Sequence, residues 1–241
     1  MRRVAFVLFF CLAPLPAAAL IGGTPAPSEI AAQTVLIVST RGASCTGAVL
    51  AFDLVLTAAH CVQPQANYAI AVIEPAGPRL VPVERIILHP RFNPAQFETR
   101  QPTPDLALLK LAVPLPARFK PARLARDTAL PRAGERFTLA GYGVAAEGNE
   151  KSAGTLRVLE LPAIGNTGGI MVRLSAGDTR GACTGDSGGP VFRGAVLVAV
   201  IGWASGPKAQ ACGPVTGATL VALQREWIVS TARALGIRIA E

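Results

Sequence analysis

The chain has 241 residues, 51% hydrophobic and 16% charged, with 24 Gly, 20 Pro and a formal net charge of +8 at pH 7. Such a length can bury a core of ordinary size, and so apolar a composition excludes a disordered chain. Frequent Gly and Pro break the sequence into short elements, which suits an all-β protein better than a helical bundle.

In chain order, Arg2 and Arg3 precede an apolar run over 4–15, and Ala17, Ala18 and Ala19 follow. A positive start, an apolar middle and a small-residue end form a cleaved signal peptide, assigned to residues 1–19. Pro14 and Pro16 interrupt the run before the roughly 20 apolar residues a membrane span needs, so no stable membrane insertion is expected after cleavage. The paired arginines resemble the start of a twin-arginine signal, but the residues after them match it poorly, and the general secretory route is expected. Cleavage removes Arg2 and Arg3 and leaves +6 of the original +8.

From Thr34 onward, short apolar or alternating runs predict strands over 34–39, 47–50, 54–57, 80–88, 106–111, 137–139, 191–192 and 195–203. No heptad or fixed-period repeat interrupts them. The stretch 114–131 is rich in Pro and Arg and reads as a connector between halves of similar size. Arg118, Lys120, Arg123, Arg126, Arg132 and Arg136 crowd around it, with Asp127 and Glu135 interspersed and only Phe119 and Phe137 as aromatics. A solvated connector explains that pattern better than a nucleic-acid site. Near the end, Leu223, Trp227, Ile228, Ala232 and Leu235 share one helical face and Gly236 stops the helix, with Trp227 read as core packing.

Cys11 falls in the signal peptide, so Cys45, Cys61, Cys183 and Cys212 remain, an even number that points to two disulfides in an exported chain. A zinc site is disfavoured, because no CxxC spacing occurs and the chain has two histidines, His60 and His89.

Residues Gly185, Asp186, Ser187, Gly188, Gly189 and Pro190 set a serine among glycines, where backbone N–H groups can approach a substrate oxygen. A serine hydroxyl is a weak nucleophile without a base. The same residues satisfy G-x-S-x-G, whose enzymes order the chain as Ser, acid, His. No histidine follows Ser187, so that mechanism lacks its base. The opposite order works: His60 lies in a Thr-Ala-Ala-His-Cys segment over 57–61, and Asp105 opens Asp-Leu-Ala-Leu-Leu over 105–109. Asp53, Asp127 and Asp178 sit in no comparable motif.

The order His60, Asp105, Ser187 and the three surrounding motifs resemble the trypsin and chymotrypsin family of serine endopeptidases, over nearly the whole sequence from about Leu20. The resemblance implies an all-β fold of two packed six-stranded antiparallel β-barrels with a C-terminal α-helix, in a secreted or periplasmic, bacterial-type member. Residues 20–118 would form the first barrel with His60 and Asp105, and 119–241 the second with Ser187 and the helix. Protein or peptide is the implied substrate, with no cofactor, no metal and no nucleic acid, and the chain is expected to be monomeric. By the mechanism for which this family is the type case, Ser187 attacks the scissile carbonyl, His60 shuttles the proton and Asp105 orients His60. The N–H groups of Gly185 and Ser187 would form the oxyanion hole. His89, followed by Pro90, matches a surface position without a catalytic role. A protease-like binding protein that keeps the fold without activity is the competing reading, and the intact triad argues against it.

The resemblance also pairs Cys45 with Cys61 and Cys183 with Cys212. It places Gly181 at the base of the primary pocket with Ala182 beside it, where members that cleave after Lys or Arg carry an aspartate. Trp203 matches the tryptophan of the substrate-binding strand, flanked by Gly202 and Ala204 where the family usually has serine and glycine. Counting back from Trp227 puts Thr216 on the opposite wall, and the two larger wall residues imply small aliphatic side chains before the scissile bond. Gly202 lacks a hydroxyl that usually supports the catalytic aspartate. Active members begin with an apolar pair and Gly-Gly, here Leu20, Ile21, Gly22 and Gly23, whose free amine pairs with the aspartate before the nucleophile. Leu20 directly follows the alanines, so signal cleavage alone is expected to create the activation pair of Leu20 with Asp186.

Overall fold

The computed structural model describes residues 20–205 and 212–240; the signal-peptide assignment over 1–19 lies outside them. In chain order come β1 (Thr24–Pro25), α1 (Ser28–Ala31), β2 (Thr34–Ser39), β3 (Ser44–Ala51), β4 (Leu54–Thr57), α2 (Ala59–Val62), β5 (Tyr68–Glu74), β6 (Gly77–Leu88), α3 (Pro94–Glu98) and β7 (Ala107–Leu111). The second half holds β8 (Arg123–Leu124), β9 (Arg136–Gly141), β10 (Arg157–Thr167), β11 (Met171–Leu174), β12 (Pro190–Arg193), β13 (Val196–Ser205), β14 (Val215–Leu220) and α4 (Arg225–Ala234).

Two closed six-stranded barrels result, as expected. The first runs β2-β3-β4-β7-β6-β5 around its circumference. The second runs β10-β11-β14-β13-β12-β9 and closes where β9 pairs with β10. All these pairings are antiparallel; the short β8 adds to β13 in parallel.

Burial explains why some strands read as continuous apolar runs and others alternate. Val49, Val55 and Leu109 point into the first barrel's own core, while Leu50, Leu56 and Leu108 on the same strands join the core that runs into the second barrel. Strands β3, β4 and β7 are thus buried on both faces, and their sequences cannot alternate. In the second barrel β10 buries Arg157, Leu159, Leu161 and Ala163 at every second position and leaves the residues between them less buried.

Two segments differ from the sequence reading. Thr24 and Pro25, expected in the first barrel, pair with Val158 and Arg157 on the second, and Leu20 is buried in the core shared with it. The Pro- and Arg-rich connector is not solvated throughout: Phe119, Ala122, Leu124 and Ala125 are buried while Arg118, Lys120, Arg123 and Arg126 remain exposed. The Ala122 N–H donates to the Val49 carbonyl and the Ala125 N–H to that of Leu197, so the connector threads along both barrels.

Helix α4 buries Ile228 and Ala232, and Gly236 ends it at a φ of 75° with its N–H donating to the Arg233 carbonyl. His89 is not at the surface. It is 3% exposed, its ring lies 4.6 Å from that of Trp227, and Arg91 beside it donates to Gln224 Oε1 at 3.0 Å. The end of β6 is therefore fastened to the helix of the other half. Burial pushes the His89 pKa down to about 4, so the imidazole is neutral near pH 7.

Candidate active site

The site forms where the barrels meet, because three short loops from strands of the shared core converge there. Strand β4 ends at Thr57 and turns at once into α2, which carries His60; the Cys45–Cys61 disulfide ties that helix back to β3. Asp105 lies two residues before β7 and is 1% exposed. One of its oxygens accepts from the His60 backbone N–H at 2.9 Å, and the other lies 2.7 Å from His60 Nδ1. With the carboxylate ionised, Nδ1 carries the proton and donates it, and Nε2 keeps its lone pair. The polar neighbour of Nε2 is the disulfide sulfur of Cys61 at 3.8 Å. Ser187, in the turn before β12, lines the same cleft as His60 and makes no side-chain hydrogen bond among the described residues.

The residues around Ser187 are held by backbone donors. Asp186 is fully buried; Gly143 N–H donates to one of its oxygens and Cys183 N–H to the other, each at 2.9 Å. Burial nevertheless pushes the Asp186 carboxyl up to about 7. A Cβ at Gly141 or Gly143 would collide with that carboxyl, so both glycines are what allow Asp186 to sit there. Gly185 takes a φ of 94°, a region open chiefly to glycine. The Cys183–Cys212 disulfide braces the same turn.

Ile21 forms an antiparallel bridge with Gly181, its N–H donating to the Gly181 carbonyl at 3.0 Å. That bridge lays the segment after Leu20 along the stretch leading to Asp186. Leu20 itself is fully buried with a φ of 54°. In the unprocessed chain its nitrogen belongs to a peptide bond and carries no charge.

Of the pocket residues named from the sequence, Ala182, Gly202, Trp203 and Ala204 line the cleft with Ser187, while Gly181 and Thr216 lie beside it. Register sets Ala204 directly across from Thr216 and Trp203 across from Gly217. The Thr216 hydroxyl is buried and accepts from the Ala182 N–H at 3.1 Å. A Cβ at Gly181 would strike the Gly213 carbonyl, so no side chain fits at that position without moving the 212–214 segment. A Cβ at Gly202 would lie 3.4 Å from Asp105 Oδ2, in ordinary contact.

Several site residues were not apparent from sequence. Phe97 on α3 stacks flat on the His60 ring, with centroids 4.3 Å apart and planes 14° from parallel. Its helix is signalled by Asn93-Pro94: the Asn93 side chain accepts from the Ala95 and Gln96 N–H groups. Ser44 lines the cleft beside Cys45. Gly141 and Gly143 could have been noticed as a Gly-x-Gly at the end of a strand, but nothing local ties them to Asp186. Among the described residues, Cys45, His60 and Cys61 form a cluster at metal-ligand distances, but the disulfide consumes both thiols and leaves a single nitrogen ligand.

A two-barrel fold with a carboxylate-held histidine and a serine sharing its interface cleft defines the chymotrypsin-like class of serine protease. The sequence profile of the family described as Trypsin matches residues 20–228, so the chain belongs to the trypsin family and is a serine endopeptidase. It is 30% identical over 206 residues to Trypsin alpha-4 of Lucilia cuprina, covering 78% of each protein. It is also 30% identical over 182 residues to human Kallikrein-8, covering 68% of this chain and 67% of that one. Among solved structures, mouse neuropsin, a serine protease expressed in the limbic system, superposes with a TM-score of 0.73 at 22% identity over 88% of this chain and 99% of the other. The protein HBP does so with 0.75 at 22% identity over 92% and 100%. These named sequence relatives are animal proteins and do not support the expectation of a bacterial-type member.

Proposed function

We propose that this endopeptidase acts through Ser187, His60 and Asp105 and prefers small aliphatic residues before the scissile bond. The observation that carries the reading is the His60 imidazole, held at Nδ1 and at its own backbone by one buried carboxylate, in the cleft that Ser187 lines. In this mechanism His60 Nε2 takes the Ser187 proton as Oγ bonds to the substrate carbonyl carbon, then returns it to the leaving amine. Water repeats the exchange and releases the acid. The Gly185 and Ser187 N–H groups stabilise the oxyanion, and Asp105 stabilises the imidazolium. Catalytic contacts are often loose before substrate arrives, which suits a Ser187 hydroxyl with no partner among the described residues.

Specificity follows from the walls. Ala204 and Thr216 are cross-strand neighbours on β13 and β14, and Gly181 offers no carboxylate to a cationic side chain. Activation follows from Asp186: a free Leu20 amine would give that buried carboxylate its cation. Signal cleavage before Leu20 would supply the amine, in a monomer acting in the periplasm or outside the cell. No described helix is long and apolar enough to cross a membrane.

A fluorophosphonate should label wild type at Ser187 and spare Ser187→Ala. A mixed peptide library should show cleavage after Ala or Val. An unlabelled but folded wild type would overturn the triad, and dominant cleavage after Arg or Lys would overturn the pocket assignment.

A further inference from the structure

Thr46, on β3 of the first barrel, is fully buried and uses every polar group it has on the opposite side of the cleft or beside it. Its hydroxyl donates to the Gly185 carbonyl at 2.8 Å and accepts from the Tyr142 N–H at 3.0 Å. Its own N–H donates to the Ser187 carbonyl at 2.8 Å, and its carbonyl accepts from the Thr57 hydroxyl at 2.8 Å. One residue of the first barrel thus grips the carbonyls of both residues whose N–H groups face the proposed oxyanion.

We infer that Thr46 is a positioning residue that sets the orientation of the Gly185 N–H, an inference that rests on the oxyanion role proposed for Gly185. Gly185 has no side chain to restrict it, so its conformation is fixed through its two flanking peptide planes. The plane on its C-terminal side is held by the Thr46 hydroxyl on the Gly185 carbonyl. The plane on its N-terminal side, which contains the Gly185 N–H, is held through the Thr184 carbonyl, which accepts from the Val144 N–H at 2.9 Å. Val144 lies two residues beyond Tyr142, whose N–H is bonded to the same Thr46 hydroxyl. The hydroxyl therefore holds one plane directly and bears on the other through the 142–144 segment. Removing it strands a buried carbonyl and a part-buried N–H together and loosens the C-terminal of the two planes that orient the donor.

Thr46→Val removes the hydroxyl and keeps the shape, and Thr46→Ser does the reverse. On a peptide amide with Ala before the scissile bond, Thr46→Val should lower kcat on the order of tenfold with KM within about twofold of wild type. A peptide aldehyde, whose adduct with Ser187 presents an oxyanion, should lose affinity by a similar factor. Thr46→Ser should stay within about threefold of wild type on both readouts, since the hydrogen bonds survive. A purely structural Thr46 would lower the melting temperature without moving kcat of the folded fraction. If Thr46→Val does not fold, Thr46→Ala replaces it in the comparison with Thr46→Ser. Wild-type kcat in the variant lacking the hydroxyl, or an equal fall in Thr46→Ser, overturns the inference. A wild type that neither turns over substrate nor takes a fluorophosphonate overturns the reading of the site itself, and that outcome is distinguishable because it precedes any substitution.

Discussion

Gly202 is the residue where this chain leaves its proposed base least supported. Asp105 Oδ2 bonds to His60 Nδ1, and the space beside Gly202 is wide enough that a Cβ would make only ordinary contacts, with Asp105 Oδ2 at 3.4 Å, the Gly217 carbonyl at 3.6 Å and Met171 at 3.8 Å. A serine hydroxyl built there reaches the carboxylate and would donate to it. Gly202→Ser should therefore raise kcat about two- to fivefold, the worth of one well-placed hydrogen bond to a charged group after the cost of ordering it. Gly202→Ala, which fills the space without a donor, should not. Steady-state kinetics of both variants check this, and a gain shared by Gly202→Ala would assign the effect to packing. At this scale the sequence pointed to the residues that carry a motif: the proposed His60, Asp105 and Ser187, and the four cysteines of the two disulfides. It did not disclose Thr46, Phe97 or Gly141, whose roles exist only through contacts with residues far along the chain. Thr46 and Gly185 are 139 positions apart, and no local pattern marks such a partnership.

Among elements, those whose burial pattern is self-evident were the ones read from sequence. Strands β2 and β4 were placed at their observed limits: β2 stops at the Thr40-Arg41-Gly42 turn, and β4 starts after Asp53 and ends at Thr57, just before α2. Strand β10 was missed: Pro162 interrupts its apolar run and Arg157 begins it, although that arginine is buried and the proline faces the end of β9. The Asp186 turn carries a prediction of the same kind, since its chemistry depends on the segment at Leu20. Burial raises the folded carboxyl from 3.8 to about 7, so between those values the folded unprocessed chain keeps a proton that the unfolded chain has lost. Stability of the unprocessed chain should therefore fall as pH rises through that window. His89 works in the opposite sense, because its folded pKa is lowered from 6.5 to about 4 and the unfolded state binds the extra proton. That contribution is lost as pH falls through the same region, but it is common to every form of the chain. Comparing melting temperatures of a chain beginning at Leu20 with one extended before it thus isolates Asp186. The Leu20 ammonium should hold the carboxylate ionised, and the chain beginning there should gain on the extended form steadily from about pH 5 to pH 7. Parallel melting curves across that range would show that no such pair forms.

For the molecule as a whole, the decisive feature is that the first barrel contributes to two separate cores, and only one of them continues into the second barrel. Leu108 and Leu109 are neighbours on β7, both fully buried, and they point to opposite sides of the strand. Leu109 packs with Val49, Val55 and Val72 inside the first barrel, whereas Leu108 joins Leu50 and Leu56 in the core continuous with the second barrel. Truncating either to alanine removes the same atoms and should cost a similar amount of stability, about 2 to 5 kcal/mol. The consequences for activity should differ. A cavity behind Leu109 relaxes within one barrel, whose closed hydrogen-bonded circumference keeps His60 and Asp105 in register with each other. A cavity behind Leu108 lets one barrel settle against the other, and a displacement of a fraction of an ångström there changes the distance from His60 to Ser187, a relation in the proposed triad that no hydrogen bond among the described residues holds. Measured well below both melting temperatures, Leu108→Ala should lower kcat/KM about tenfold or more while Leu109→Ala stays within about threefold of wild type. The fraction folded, followed by near-ultraviolet circular dichroism, corrects both values. Equal losses in the two variants would mean that the interface between the barrels does not set the geometry of the site.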